Sequence, residues 1–271
     1  MIVSDRVAPR HLVDHLLASG RPVVTVSEVQ ELTGLSAGAA VAVLARLRRN
    51  GLLFSPTRGL YVMIEPRYRS WRAVPAADFI DPLMRALGRR YYVSLLSAAE
   101  LYGASHQRPA VFQVMVDRQV GDRDFGRVRL RFHLSSRLGA VPTTLRNSAT
   151  GQFHVATPAT VCLDLATRPT ESGGLDNVAT VLSELVSQTG LQAQDLVGAA
   201  VAYPVASLRR LGWLLELVES QIDLEVLRQG LRGPAPEVSR STTLLDSAGS
   251  PRGRINTTWR VVENCPVEPD L

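Results

Sequence analysis

Apolar residues near the start of the chain recur at helical spacing and then give way to strand-like runs. Val29 and Leu32 lie on one helical face, with Ser27 placed to cap that helix and Gly34 to break it. Ser36 can cap a second helix, whose Ala40, Val43, Leu44 and Leu47 fall three and four residues apart. Gly51 ends it. Leu52-Leu53-Phe54 is apolar, Pro56-Thr57-Arg58-Gly59 has turn chemistry, and Leu60 to Ile64 is β-prone. An earlier helix is expected from about Arg10 to Ser19. Beyond a Pro-punctuated linker at 65–77, short helices are expected at 81–87 and 93–102. Val111 to Val116 reads as a strand. From Val128 to Leu134 apolar residues alternate with Arg127, Arg129, Arg131 and His133, which predicts a half-buried strand with one basic edge. Another strand is expected at 151–156. Thr157-Pro158 then opens a helix, and amphipathic helices follow at 177–187, 193–202 and 205–220. The segment from Gly230 is rich in Pro, Gly and Ser, with a closing strand expected at 257–262.

The order helix, turn, helix, two-stranded hairpin in residues 27–64 resembles a winged helix-turn-helix. That module sets its second helix in the major groove of duplex DNA. The rival reading is a helical hairpin with a packed β-ribbon. Charge favours the first. Residues 1–77 carry ten Arg against five acidic residues, and Arg46, Arg48, Arg49 and Arg58 fall on the helix end and the wing, a footprint suited to phosphates. The expected class is therefore α+β: a winged helix-turn-helix at 1–70, then a larger mixed α/β domain at 78–271. In the linker, Arg67, Arg69 and Arg72 read either as a solvated tether or as a basic strap, and Trp71 hints at packing.

The groove-facing start of the second helix is Ser36, Ala37, Gly38, Ala39, Val41 and Ala42. Apart from the capping Ser36, these residues can touch thymine methyls and admit close backbone approach, but they cannot form bidentate hydrogen bonds with bases. Specificity would rest on methyl contacts, the wing and DNA shape. Arg46, Arg49, Thr57 and Arg58 are the expected DNA contacts, with Arg58 reaching a phosphate or the minor groove.

The chain has 271 residues, a 45% apolar fraction and a formal charge of +5. No apolar run is long enough for a bilayer, and Met1 to Arg10 lacks the apolar stretch of a signal peptide, so a cytoplasmic protein is expected. All 30 basic residues are Arg. Without Lys there is no P-loop lysine and no Schiff-base amine. Charge is uneven: residues 78–140 carry ten Arg against six acidic residues, and 141–271 ten against fourteen. That pattern suggests an oriented surface rather than a uniform polycation. Cys162 and Cys265 lack metal-ligand spacing, and Cys162 sits in an apolar helical pattern as a small hydrophobe.

No catalytic constellation emerges. Of His11, His15, His106, His133 and His154, the first two share i, i+4 spacing but lack a third ligand nearby. Gly173-Gly174 lacks the strand–Gly–helix context of a phosphate loop. Glu216 with Glu219 and Asp223 with Glu225 read as solvated pairs. No metal, cofactor or catalytic residue is expected. Arg209 and Arg210, heading the helix that carries Trp213, are candidate basic contacts of the second domain.

Several segments in order carry a family resemblance: Arg58-Gly59-Leu60-Tyr61; Tyr91 to Gly103 (YYVSLLSAAELYG); Val155 to Leu165 (VATPATVCLDL); Gly173-Gly174-Leu175; Arg210 to Glu216 (RLGWLLE); and Trp259-Arg260-Val261. The chain resembles the AbiEi family, antitoxins of bicistronic toxin–antitoxin systems. The resemblance implies a winged helix that represses its own operon at inverted repeats of duplex DNA. It also implies a C-terminal domain that counters a nucleotidyltransferase-like toxin, often without a stable complex. Two departures stand out, the apolar recognition helix and the net-negative second half. The alternatives are a ligand-responsive winged-helix regulator, which would need a pocket in residues 78–271, and a nuclease or nucleotidyltransferase, which would need clustered carboxylates.

Overall fold

The computed structural model describes residues 6–104, 110–231 and 241–271. The N-terminal unit runs α1 (Leu12–Ala18), β1 (Val23–Thr25), α2 (Val26–Thr33), α3 (Ala37–Arg49), β2 (Leu53–Thr57) and β3 (Leu60–Met63). This helix–strand–helix–helix–strand–strand order is that of a winged helix. Its sheet has the order β1-β3-β2. The cap of α2 is Thr25, not Ser27: Thr25 Oγ1 accepts from the Glu28 amide and the Glu28 carboxylate accepts from the Thr25 amide, a reciprocal capping box. Val26 is already helical, so Ser27 lies inside the first turn. Ser36 Oγ accepts from the Ala39 amide and starts α3 as expected. Leu12, Leu16, Val29, Ala40, Leu44, Leu47, Leu53 and Met63 close a small core.

Pro56 and Thr57 belong to β2, and the wing turn is only Arg58-Gly59. The β2–β3 register shifts between Phe54 and Thr57. A bulge is where a proline without an amide hydrogen is tolerated in a strand.

The larger unit holds α4 (Ile80–Ala86), β4 (Tyr91–Val93), α5 (Leu95–Leu101), β5 (Phe112–Val116), β6 (Arg123–Phe125), β7 (Val128–Leu134), β8 (Thr143–Ser148), β9 (Gly151–Ala156) and α6 (Pro158–Thr167). Then come α7 (Leu175–Thr189), α8 (Ala193–Ala200), α9 (Val205–Leu217), α10 (Leu224–Leu231), β10 (Thr243–Leu244), β11 (Arg254–Asn256) and β12 (Val261–Glu263). The helix expected at 93–102 starts later than expected. Tyr91-Tyr92-Val93 forms a central strand, paired with β5 antiparallel and β9 parallel, and the helix begins at Leu95. The six-stranded sheet has the order β6-β7-β5-β4-β9-β8.

Successive strand residues point to opposite faces. The Tyr91 hydroxyl donates to Asp81 on α4 (3.0 Å), and the Tyr92 hydroxyl donates to Asp164 on α6 (3.0 Å). The sheet therefore lies between α4 and α6. Helix α6 is buried from Ala159 to Ala166, and α5, α7, α8 and α9 pack around it. The closing segment forms a small sheet of order β10-β12-β11; of the strand expected at 257–262, residues 257–260 form a turn and only Val261 and Val262 are in β12, which runs to Glu263.

The two units share a wall. Phe54, Leu60, Val62 and Ile64 of the wing sheet belong to the core of the larger unit. Phe54 meets Phe79 and Phe125 at ring-centroid distances of 5.2 Å each. The connecting segment is not a solvated tether. Pro66–Trp71 is a 3₁₀ helix, and the Arg127 amide donates to the Trp71 carbonyl at 3.3 Å. Gly126 makes that approach possible: its φ is +57°, and a Cβ there would lie 2.0 Å from the Trp71 carbonyl oxygen.

Candidate nucleic-acid interface

Helix α3 buries Ala40, Leu44 and Leu47, and its opposite side is open to solvent. Ser36, Ala37, Gly38, Val41, Ala42, Ala45, Arg46, Arg48 and Arg49 are exposed, while Ala39 is half-buried. At 100° per residue, Gly38, Ala42, Ala45 and Arg49 fall along the centre of the outer face. Arg46 flanks it on one side. Val41 and Arg48 flank it on the other, towards the wing. There Val41, Ala45, Arg48, Arg49 and Tyr61 of β3 line a shallow groove of about 350 Å³. Arg58 is exposed at the wing turn, with Thr57 half-buried beside it. None of Arg46, Arg48, Arg49 or Arg58 makes an ion pair among the described residues. Ala45 and Tyr61 were not among the residues expected from the sequence. Ala45 was legible as a helical neighbour of Val41 and Arg49. Tyr61 was not, because its position depends on β3 lying beside α3.

Arg209 and Arg210 are not surface contacts, which corrects the expectation placed on them. They are 3% and 6% exposed. Arg210 donates from Nε to the Leu245 carbonyl (2.7 Å), from Nη1 to Ala166 (2.7 Å) and from Nη2 to Leu244 (2.9 Å). Arg209 Nη1 donates to the Ser241 carbonyl at 2.7 Å and to its hydroxyl at 3.0 Å. Both arginines tie α9 to the closing segment. The planar guanidinium satisfies several carbonyls at once, so an Arg-Arg pair beside an apolar face marked a clamp. Gly212 serves the same docking: a Cβ there would lie 2.1 Å from the Trp259 ring.

Asp164, inside the apolar helix α6, is a buried hub. It accepts from Ser94 Oγ (2.6 Å), the Tyr203 hydroxyl (2.8 Å) and the Tyr92 hydroxyl (3.0 Å). Burial raises its pKa above the ordinary carboxylate value, and the three hydroxyls only partly offset that. Cys162 is fully buried, and desolvation pushes its thiol to about 12. Both cysteines are free. No group of three His, Cys, Asp or Glu residues placed to hold a metal occurs among the described residues. His106 and the stretch 232–240 lie outside them. No described helix is long and apolar enough to cross a membrane.

The chain thus joins a winged helix, with an open, arginine-flanked third helix, to a mixed α/β domain. Residues 11–64 match the family described as transcriptional regulator, AbiEi antitoxin, and residues 92–217 match the AbiEi antitoxin C-terminal domain. The two matches cover both units in order, and the chain belongs to the AbiEi antitoxin family. No curated protein matches the sequence. Among solved structures, the fold is similar to the crystal structure of the RV2827C protein from Mycobacterium tuberculosis. The TM-score is 0.66 at 18% identity, over 96% of this chain and 93% of that one.

Proposed function

We propose that this protein binds inverted repeats of duplex DNA in the promoter of its own operon, represses that operon, and counters a nucleotidyltransferase-like toxin encoded with it. The observation that carries the DNA reading is the outer face of α3. It presents no side chain larger than valine from Ala37 to Ala45, then ends in three exposed arginines that make no ion pair among the described residues, with Arg58 on the adjacent wing. Small residues admit the helix deep into a major groove, and the arginines reach phosphates on the flanks. With so little base-specific hydrogen bonding, one domain binds weakly. Two protomers on an inverted repeat supply useful affinity.

The test is a gel-shift titration with promoter DNA. A Cβ on Gly38 meets no atom within 4 Å, so Gly38→Glu leaves the fold intact while placing bulk and negative charge in the groove. Binding should be lost; wild-type affinity in this variant would take α3 out of the groove. The same full-length variant separates repression from antitoxicity. With the toxin expressed from an unrelated promoter, rescue of growth by Gly38→Glu assigns neutralisation to a surface other than α3. Failure of rescue, with rescue by wild type, ties neutralisation to DNA binding.

A further inference from the structure

A groove of about 540 Å³ opens between the connecting segment and the sheet of the larger unit, within the size range of small-molecule sites. Tyr68 and Trp71 form an aromatic wall, their rings 5.4 Å apart and tilted by 50°. The wall is held in place, because the Trp71 carbonyl is pinned by the Arg127 amide against Gly126. Phe112 at the start of β5 adds apolar surface, and Arg127 and Arg129 are two basic residues among the groove's lining. Both arginines are exposed and make no ion pair among the described residues. Glu100 is the one carboxylate among the described lining residues, so the groove keeps a positive balance. Arg69 and Arg72, exposed on the same connecting segment, extend that charge.

An aromatic wall beside arginines that make no ion pair among the described residues selects a ligand that joins an aromatic ring to an anion. An inorganic anion offers the charge without the ring, and a duplex hides its bases. We propose that this groove binds a nucleotide, with its base against Trp71 and its phosphate on Arg127 and Arg129, through the stacking and charge pairing used by single-strand binders. The nucleotide is either free in solution or part of a single strand. The site uses neither α3 nor the wing turn, so it stands apart from the DNA reading.

The experiment titrates full-length protein with ATP and, separately, with a short oligouridylate, following tryptophan fluorescence. The chain has three Trp. Trp259 is fully buried, and Trp213 is half-buried and donates to Glu263 at 2.9 Å, so quenching at the groove reports on Trp71. Saturable quenching is expected in wild type and should vanish in Trp71→Phe. Equilibrium dialysis with labelled ligand, which needs no tryptophan, should show binding at least about tenfold weaker in Arg127→Ala/Arg129→Ala, a change confined to solvent-facing side chains. A response to ATP assigns free nucleotide, and a response to the oligonucleotide alone assigns a single strand. Absence of both, ligand binding unchanged in the double variant, or equal quenching by promoter duplex through Trp71 overturns the assignment. Gly38→Glu should leave nucleotide binding intact, which keeps this result separable from the promoter test.

Discussion

At the scale of single residues, the buried polar groups decide most. Asp164 holds one carboxylate under three hydroxyl donors, and its pKa is raised in the folded state. The folded protein therefore retains this proton at pH values where the unfolded chain has released it. The resulting stabilisation is full below the unfolded pKa and is lost as pH rises through the folded one. Asp164→Asn removes the charge but keeps the shape. Urea melts of the two proteins should diverge as pH rises above about 4, with the variant gaining relative to wild type by up to ~1.4 kcal/mol per pH unit within the window. Parallel pH profiles would show that the carboxylate stays ionised when folded. Arg210 gives a second case. Arg210→Lys keeps the charge but cannot span three carbonyls, so buried acceptors go unpaired. A loss of about 2–3 kcal/mol is expected in thermal or chemical melts, with DNA affinity of the folded protein unchanged.

At the scale of elements, the wing and the β6–β7 hairpin carry different loads. The wing turn is two residues long, with Arg58 exposed on it. Arg58→Ala should weaken promoter binding and flatten the dependence of log K on log salt by about one unit if it meets a phosphate. An unchanged slope would confine the interface to α3. The hairpin matters through Gly126. Gly126→Ala forces a side chain into left-handed backbone and into the Trp71 carbonyl, a cost on the order of 1–3 kcal/mol. The expected readout is lower thermal stability together with faster proteolysis between Arg67 and Arg72; a stability equal to wild type would mean that the connecting segment moves aside freely.

At the scale of the whole molecule, the winged helix is not a detachable module. One side of its sheet packs on its own helices through Leu53 and Met63, and the other contributes Phe54, Leu60 and Val62 to the larger core. Phe54→Ala removes the ring shared with Phe79 and Phe125, at a cost of about 3–5 kcal/mol. Because the wall is common, probes in both units should report one transition shifted by the same amount; two separated transitions would show that they melt independently. For the same reason, a fragment starting at residue 78 exposes Phe79 and Phe125, and full-length point variants are the sounder way to separate repression from antitoxicity.

Local chemistry was enough to read α3, its Ser36 cap, the β7 alternation and the Thr157-Pro158 start of α6, since caps, periodicity and proline placement act within a few residues. The same local logic placed the arginines of α3 on an open face. It failed wherever the deciding partner lies far along the chain. Val93, expected to start a helix, instead ends the strand Tyr91–Val93, because β5 and β9 pair with that strand from both sides. Arg209 and Arg210 look like surface cations until the carbonyls at 241, 244 and 245 arrive around them. Charge and helical period are properties of neighbours in sequence, and they determined the class and the basic face of the third helix; the ordered motifs carried the family resemblance. Burial of a guanidinium, the shared wall behind the wing and the groove beside Trp71 depend on contacts between distant segments, and only the tertiary structure decided them.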